Sequence, residues 1–202
     1  QTATTENYTN AESSAASDVY KRQTVNCTKA CWDIMREQEY GRVVVTSSSS
    51  GLYGNFGQAN YGSAKMGVVG LMNTLVQEGA KYNIRVNALA PTAGTRMTEG
   101  LIDPKAFELL TPETVTPAVL YLVSEDAPNR TILCAGAGSF AVTRLVESES
   151  VWLPPEEQTP EGLAAHWDEI TSTEGEKALN AGFEQSFKMV GKAVEGLGIK
   201  LD

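Results

Sequence analysis

Residues Gly41–Lys65 read GRVVVTSSSSGLYGNFGQANYGSAK. The consecutive valines Val43, Val44 and Val45 predict a strand over 42–47 buried on both faces, as strands of a parallel sheet are. Four serines follow (Ser47–Ser50), then a Gly-rich loop (Gly51, Gly54, Gly57) and a long helix over 58–80 that carries Tyr61 and Lys65. A strand that runs through such a loop into a helix is the connection on which open α/β sheets place their ligands. The fold class expected is α/β.

Residues four apart on a helix share a face, which sets the Lys65 ammonium beside the Tyr61 phenol. A free phenol is a poor base at neutral pH, and a neighbouring cation stabilises its ionised form. Such a tyrosine can exchange a proton with an alcohol or carbonyl oxygen. Ser48, at the carboxyl end of the strand, could hydrogen-bond the same oxygen. With seven tyrosines and nine lysines in the chain, the Tyr-Lys spacing alone proves little. A solvated tyrosine beside a surface lysine would give the same spacing, and only the strand-loop-helix context separates the two readings.

Ser48 with Tyr61-x-x-x-Lys65 resembles the pattern of the short-chain dehydrogenases/reductases. The longer run GLYGNFGQANYGSAK and the stretch NALAPTAGTRMT at Asn87–Thr98 are similar to one branch, the (3R)-hydroxyacyl-CoA dehydrogenase domains of peroxisomal multifunctional enzymes of type 2 and their stand-alone bacterial relatives. The resemblance runs from about Thr24 to the C-terminus. It implies the C-terminal half of a doubly wound Rossmann-type parallel sheet with helices on both faces, and hydride transfer between NAD (NADP not excluded) and a 3-hydroxyacyl-CoA. It assigns Tyr61 as general acid/base, Lys65 as the cation that favours phenolate and holds the nicotinamide ribose, and Ser48 as the group positioning the substrate oxygen. Pro91, Thr92 and Gly94 correspond to the loop that holds the nicotinamide carboxamide, although the usual Pro-Gly is Pro91-Thr92 here. The family also implies a homodimer packed through the Tyr61 helix.

Upstream, residues 1–23 are polar and lack a helix or strand period, and read as a disordered or non-native leader. Nothing before Gly41 supplies the Gly-rich turn and selector residue with which such folds bind pyrophosphate and adenosine. The expectation is a piece whose front half is missing. The position of the family's further catalytic asparagine falls on Tyr20. From Val25 to Gln38 the residues Val25, Ala30, Cys31, Ile34 and Met35 follow a helical period, with Gly41 closing the helix.

Downstream, Ile84–Leu89 is a buried-type strand that Ala90-Pro91 ends. Glu99–Leu110 corresponds to the family's substrate lid. Thr111 and Pro112 start a helix that becomes regular at Pro117, with Val115, Val119, Leu120 and Leu122 as its apolar side. Thr131–Ala135 reads as the last strand of the sheet. Gly136-x-Gly138-x-x-Ala141 imitates a dinucleotide fingerprint, but the alternation of Phe140–Val146 is that of a strand, whereas the fingerprint must open a helix. After residue 150 a helical extension (151–202) is expected. Trp167 and Ile170 would dock its first helix, and Phe183, Phe187, Val190 and Val194 would form the stripe by which a second helix packs on its own domain.

A net charge of −9 argues against nucleic acid or an anionic membrane as partner. No apolar run is long enough to span a membrane. Three cysteines, Cys27, Cys31 and Cys134, make neither a disulfide framework nor a zinc motif, so a reducing cytoplasm is the default. His166 is the sole histidine, which weakens a Ser-His-acid triad or a histidine metal site. Three alternatives stay open beside the leading reading: another alcohol or a ketoacyl carrier protein as substrate, a dimer partner without catalysis, and an inactive fragment.

Overall fold

The computed structural model describes residues 21–94 and 103–200. The chain divides into two units, Gln1–Thr143 and Arg144–Asp202.

The first unit runs α1 (Gln23–Glu37), β1 (Gly41–Thr46), α2 (Ser49–Tyr53), α3 (Ala59–Gly79), β2 (Ile84–Pro91), α4 (Pro104–Leu109), α5 (Thr116–Leu122), β3 (Ile132–Gly136) and β4 (Ser139–Thr143). The sheet order is β1-β2-β3-β4; β1, β2 and β3 are parallel and β4 is antiparallel to β3. One register row reads Val45, Ala88, Ile132 and Thr143.

Strand side chains alternate between faces, and the core divides accordingly. Val45, Val86, Ala88 and Ile132 meet Val68, Val69, Met72, Leu75 and Val76 of α3, with Met35 of α1. Residues an odd number of positions along the same strands, Leu89 and Ala135, meet Val115, Ala118 and Leu122 on the other face, with Val44 and Leu133 packed beside them. The strand valines are therefore covered on both sides, and helices occupy both faces of the sheet. Asn87 is fully buried in this apolar setting. Its amide donates to the Pro128 carbonyl at 2.7 Å and its oxygen accepts from the Thr131 backbone at 2.9 Å, so both ends are satisfied and the approach to β3 is fixed.

The second unit holds α6 (Pro160–Ala165), α7 (Trp167–Ile170) and α8 (Gly182–Leu197). Thr159 caps α6, its hydroxyl oxygen accepting from the Gly162 backbone at 3.0 Å. A bridge between Glu147 and Lys177 and ion pairs of Lys188 with Glu147 and Lys192 with Glu149 join the unit's first segment to the helical part.

Several expectations shift. α1 starts at Gln23 with Lys21 and Arg22 already in a helical turn, so ordered chain crosses the boundary placed after residue 23; residues 1–20, including Tyr20, lie outside the described residues. Gly41 opens β1 instead of closing α1, which ends through Glu39 at φ +52°. Met35 is the buried residue of α1, with Trp32 beside the core, whereas Ile34 is 61% exposed. Pro91 does not stop the sheet: β2 continues through it and pairs Pro91 with Ala135, a proline at the last strand position, where a missing donor costs least. Ala118 packs in the core where Val119 and Leu120 were expected, and both of these are exposed. β3 is not the last strand. Ala137 and Gly138, both at positive φ, form a tight turn into β4, as two-residue hairpins require. In the second unit Trp167 is exposed, and the Phe183, Phe187 and Val190 stripe of α8 is exposed rather than packed. The unit boundary falls at 143/144, earlier than expected. Of the lid segment only residues 103–110 are described.

Candidate functional site

The carboxyl end of β1 is tied to α3 at one residue. The Ser47 hydroxyl, buried, donates to the Lys65 carbonyl at 2.9 Å, and the Lys65 ammonium donates to the Thr46 carbonyl at 2.9 Å. Ser47 is thereby a structural tie between β1 and α3. Lys65 is itself buried, and burial pushes its pKa below the usual lysine range.

Tyr61 lies one helical turn earlier on α3, and the Lys65 Nζ is 5.8 Å from the centre of its ring. Tyr61 is half-buried and its backbone N–H donates to the Asn60 side chain at 2.8 Å. The charge thus sits beside the aromatic ring while being anchored to the sheet.

Ser48 follows Ser47 directly and caps α2, its oxygen accepting from the Ser50 N–H at 3.2 Å. It is half-buried, whereas Ser49 is exposed. Two glycines let α2 lie against α3. A Cβ on Gly62 would stand 2.8 Å from the Ser50 carbonyl oxygen, and one on Gly51 would stand 2.8 Å from the Lys65 Cβ and 2.9 Å from the Met66 nitrogen. Only glycine permits this approach, which holds the serine loop against the helix of Tyr61 and Lys65.

Pro91, Thr92 and Gly94 stand at the carboxyl end of the adjacent strand. Thr46 pairs with Leu89, and the Ser47 N–H donates to the Leu89 carbonyl at 2.7 Å, so the two strand ends share one edge. The Thr92 N–H donates to the Ala135 carbonyl at 2.8 Å, and the Gly94 N–H donates to the Leu110 carbonyl. The structure therefore gathers Ser48, Tyr61, Lys65, Pro91 and Thr92 at one end of two parallel strands, with Gly94 leading away.

Sequence reasoning missed the Thr46 carbonyl as the anchor of Lys65, and a backbone acceptor leaves no trace in residue identity. Ser47 was legible in part, since a serine alternating with buried Val45 points into the same face. Among the described residues no group of three or more His, Cys, Asp and Glu is arranged to hold a metal. No described helix is long and apolar enough to cross a membrane.

The profile of the short chain dehydrogenase family matches residues 1–105, a span that takes in the segment read as a leader. A Mycobacterium tuberculosis protein named as a short-chain type dehydrogenase/reductase is 50% identical over 159 residues, which is 77% of this chain and 54% of that protein. The peroxisomal hydratase-dehydrogenase-epimerase of Saccharomyces cerevisiae is 44% identical over 166 residues, 81% of this chain and 18% of the enzyme. The solved structure of full-length peroxisomal multifunctional enzyme type 2 from Drosophila melanogaster superposes with a TM-score of 0.78 at 34% identity, covering 90% of this chain and 34% of that one. The chain spans about half the length of the mycobacterial relative and less of the other two. A parallel sheet, a serine-capped loop and a Tyr-Lys helix at one strand edge, together with a profile match over half the sequence, place this chain in the short chain dehydrogenase family.

Proposed function

We propose that the protein is an oxidoreductase that interconverts a (3R)-3-hydroxyacyl-CoA and the corresponding 3-ketoacyl-CoA, using NAD, with NADP as the alternative cofactor. The observation that carries this reading is the Lys65 ammonium, bonded to the Thr46 carbonyl and 5.8 Å from the Tyr61 ring, at the strand edge where α/β folds bind ligands. Relatives whose names include a peroxisomal hydratase-dehydrogenase-epimerase support the acyl-CoA class.

Tyr61 takes the hydroxyl proton of the substrate, and Lys65 stabilises the phenolate by charge. Ser48 donates a hydrogen bond to the oxygen that becomes the carbonyl. When bound, the nicotinamide supplies the acceptor for the hydride leaving the same carbon. The residues present fit that group in part: Lys65 is a cation donor at the edge, and the exposed Thr92 offers a hydroxyl. The backbone N–H groups of Thr92 and Gly94 are already donated within the protein. A carboxamide held at this loop would therefore meet the Thr92 side chain in preference to those amides. The outer face of α3 exposes Ser63, Met66, Gly70 and Thr74 at helical spacing, with open space around Gly70, which supports a homodimer through this helix. Three cysteines outside any disulfide suit a reducing compartment, the cytoplasm in this reading.

The second reading keeps the chemistry and changes the substrate to a free secondary alcohol or a ketoacyl carrier protein. Incubation with NAD and (3R)-3-hydroxybutanoyl-CoA should produce reduced cofactor, read by absorbance. Turnover of a free secondary alcohol in place of the thioester would replace the acyl-CoA assignment.

A further inference from the structure

α2 is fastened to both edges of the described sheet. At its first end Ser48, two residues past β1, caps the helix, its carbonyl accepting from the Gly51 and Leu52 N–H groups at 2.9 and 3.0 Å. At its last residue the Tyr53 hydroxyl lies 2.7 Å from that of Thr143, the closing residue of β4. β1 and β4 are the opposite edges of that sheet, and Thr143 shares a register row with Val45. The Thr143 hydroxyl also lies 3.3 Å from the Cys134 sulfur on β3. A polar partner on each side settles the direction of a hydroxyl that otherwise rotates to suit its surroundings.

A helix of five residues has no stability of its own, so the contacts at its ends and along its side set its orientation. Gly51 seats it on α3, where a Cβ would stand 2.8 Å from the Lys65 Cβ, and Leu52 packs beside the core of that face. Beyond Tyr53 the chain turns through Gly54 at φ +81°, a conformation that glycine enters without strain. Tyr53 is 68% exposed, so burial does not hold its ring, and the hydroxyl contact does. Within the same turn the Ser48 oxygen accepts from the Ser50 N–H at 3.2 Å. A pivot of α2 therefore redirects the Ser48 O–H, the donor meant for the substrate oxygen.

We infer that Tyr53 is a positioning residue: through Thr143 it fixes α2, and with it the direction of the Ser48 hydroxyl toward the oxygen shared with Tyr61. This rests on the role given to Ser48 above. The tie joins two hydroxyls, one of them on a largely exposed side chain, and water can satisfy both when it breaks. Its loss frees the end of α2 while the strands stay paired, so the effect is local opening and poorer alignment at Ser48.

The experiment uses the full chain and two readouts: amide hydrogen exchange of residues 48–54 by mass spectrometry, and NAD reduction with (3R)-3-hydroxybutanoyl-CoA. Tyr53→Phe and Thr143→Val each remove one hydroxyl, Thr143→Ser keeps it, and Tyr53→Phe is also made in a Ser48→Ala background. Circular dichroism first confirms equal folding. Exchange over 48–54 should rise about three- to tenfold in Tyr53→Phe and in Thr143→Val, and stay near wild type in Thr143→Ser. In the first two, kcat should fall by a similar factor with KM close to wild type, the pattern of an interaction made in the transition state. Once Ser48 is alanine, Tyr53→Phe should cost nothing further, because the group it positions is gone. Unchanged exchange in both hydroxyl-deleted variants overturns the inference and leaves the proposed function standing. An equal fractional loss of kcat with and without Ser48 also overturns it, since the tie is then structural only. Absence of turnover in the wild type overturns the proposed function and the inference with it, whatever the exchange shows.

Discussion

At the scale of single residues, the site depends on one lysine doing two jobs. Its ammonium is held by the Thr46 carbonyl, its own carbonyl is held by Ser47, and its charge lies beside Tyr61. Replacing it with Met should lower kcat by about 10²–10³-fold, because the aliphatic stem remains while the cation beside Tyr61 is lost. Ser48→Ala should cost about tenfold to a hundredfold, the loss of one hydrogen bond to the reacting oxygen, with the cap on α2 lost as well. Steady-state kinetics on folded variants check both. A Lys65→Met enzyme with wild-type kcat would show that the cation is structural only. Tyr61 and Lys65 were legible from spacing because a helix converts a four-residue interval into proximity. Their anchorage was not, because the acceptor is a main-chain oxygen of a strand contributed from elsewhere in sequence.

At the scale of elements, the strands were legible because valines in succession can be buried only when both faces of the sheet are covered, and Val45 and Val44 do pack into the cores on opposite faces. Helix faces were harder. In α1 and α5 a periodic apolar pattern allows several faces, and tertiary packing selected Met35 and Trp32, or Ala118 and Leu122, leaving Ile34 and Leu120 in solvent. Among the glycines of α3, Gly62 packs closely against the Ser50 carbonyl, while Gly70 has open space. Gly62→Ala should therefore destabilise the protein by about 1–3 kcal/mol, since backbone on both sides must give way. It should also lower turnover by shifting the serine loop. Urea denaturation measures the first effect. An unchanged midpoint would mean that α2 yields freely and does not hold Ser48 in place.

At the scale of the whole molecule, the second unit contains ion pairs of Lys188 with Glu147 and of Lys192 with Glu149, and its apolar stripe on α8 is exposed. Its sole histidine joins two carboxylates: His166 Nε2 lies 3.0 Å from Glu157 and Nδ1 lies 3.4 Å from Glu169. Hydrogen bonding to Glu157, and then to Glu169, raises the His166 pKa above its ordinary value. A histidine so raised stabilises the fold fully below its unfolded pKa, and the contribution is lost as pH rises through the folded value. A proton NMR titration of the single histidine should give a midpoint above that of a free imidazole, and Glu157→Gln should lower it. An unshifted midpoint would show that the two contacts are not formed together. In the first unit the proposed chemistry turns on Tyr61, and the decisive comparison is the rate at which NAD is reduced with (3R)-3-hydroxybutanoyl-CoA in the wild type and in Tyr61→Phe. Turnover in the wild type and a loss of about 10²–10⁴-fold on removing the phenol oxygen are expected, whereas equal rates in the two proteins would rule Tyr61 out as the proton-transfer group.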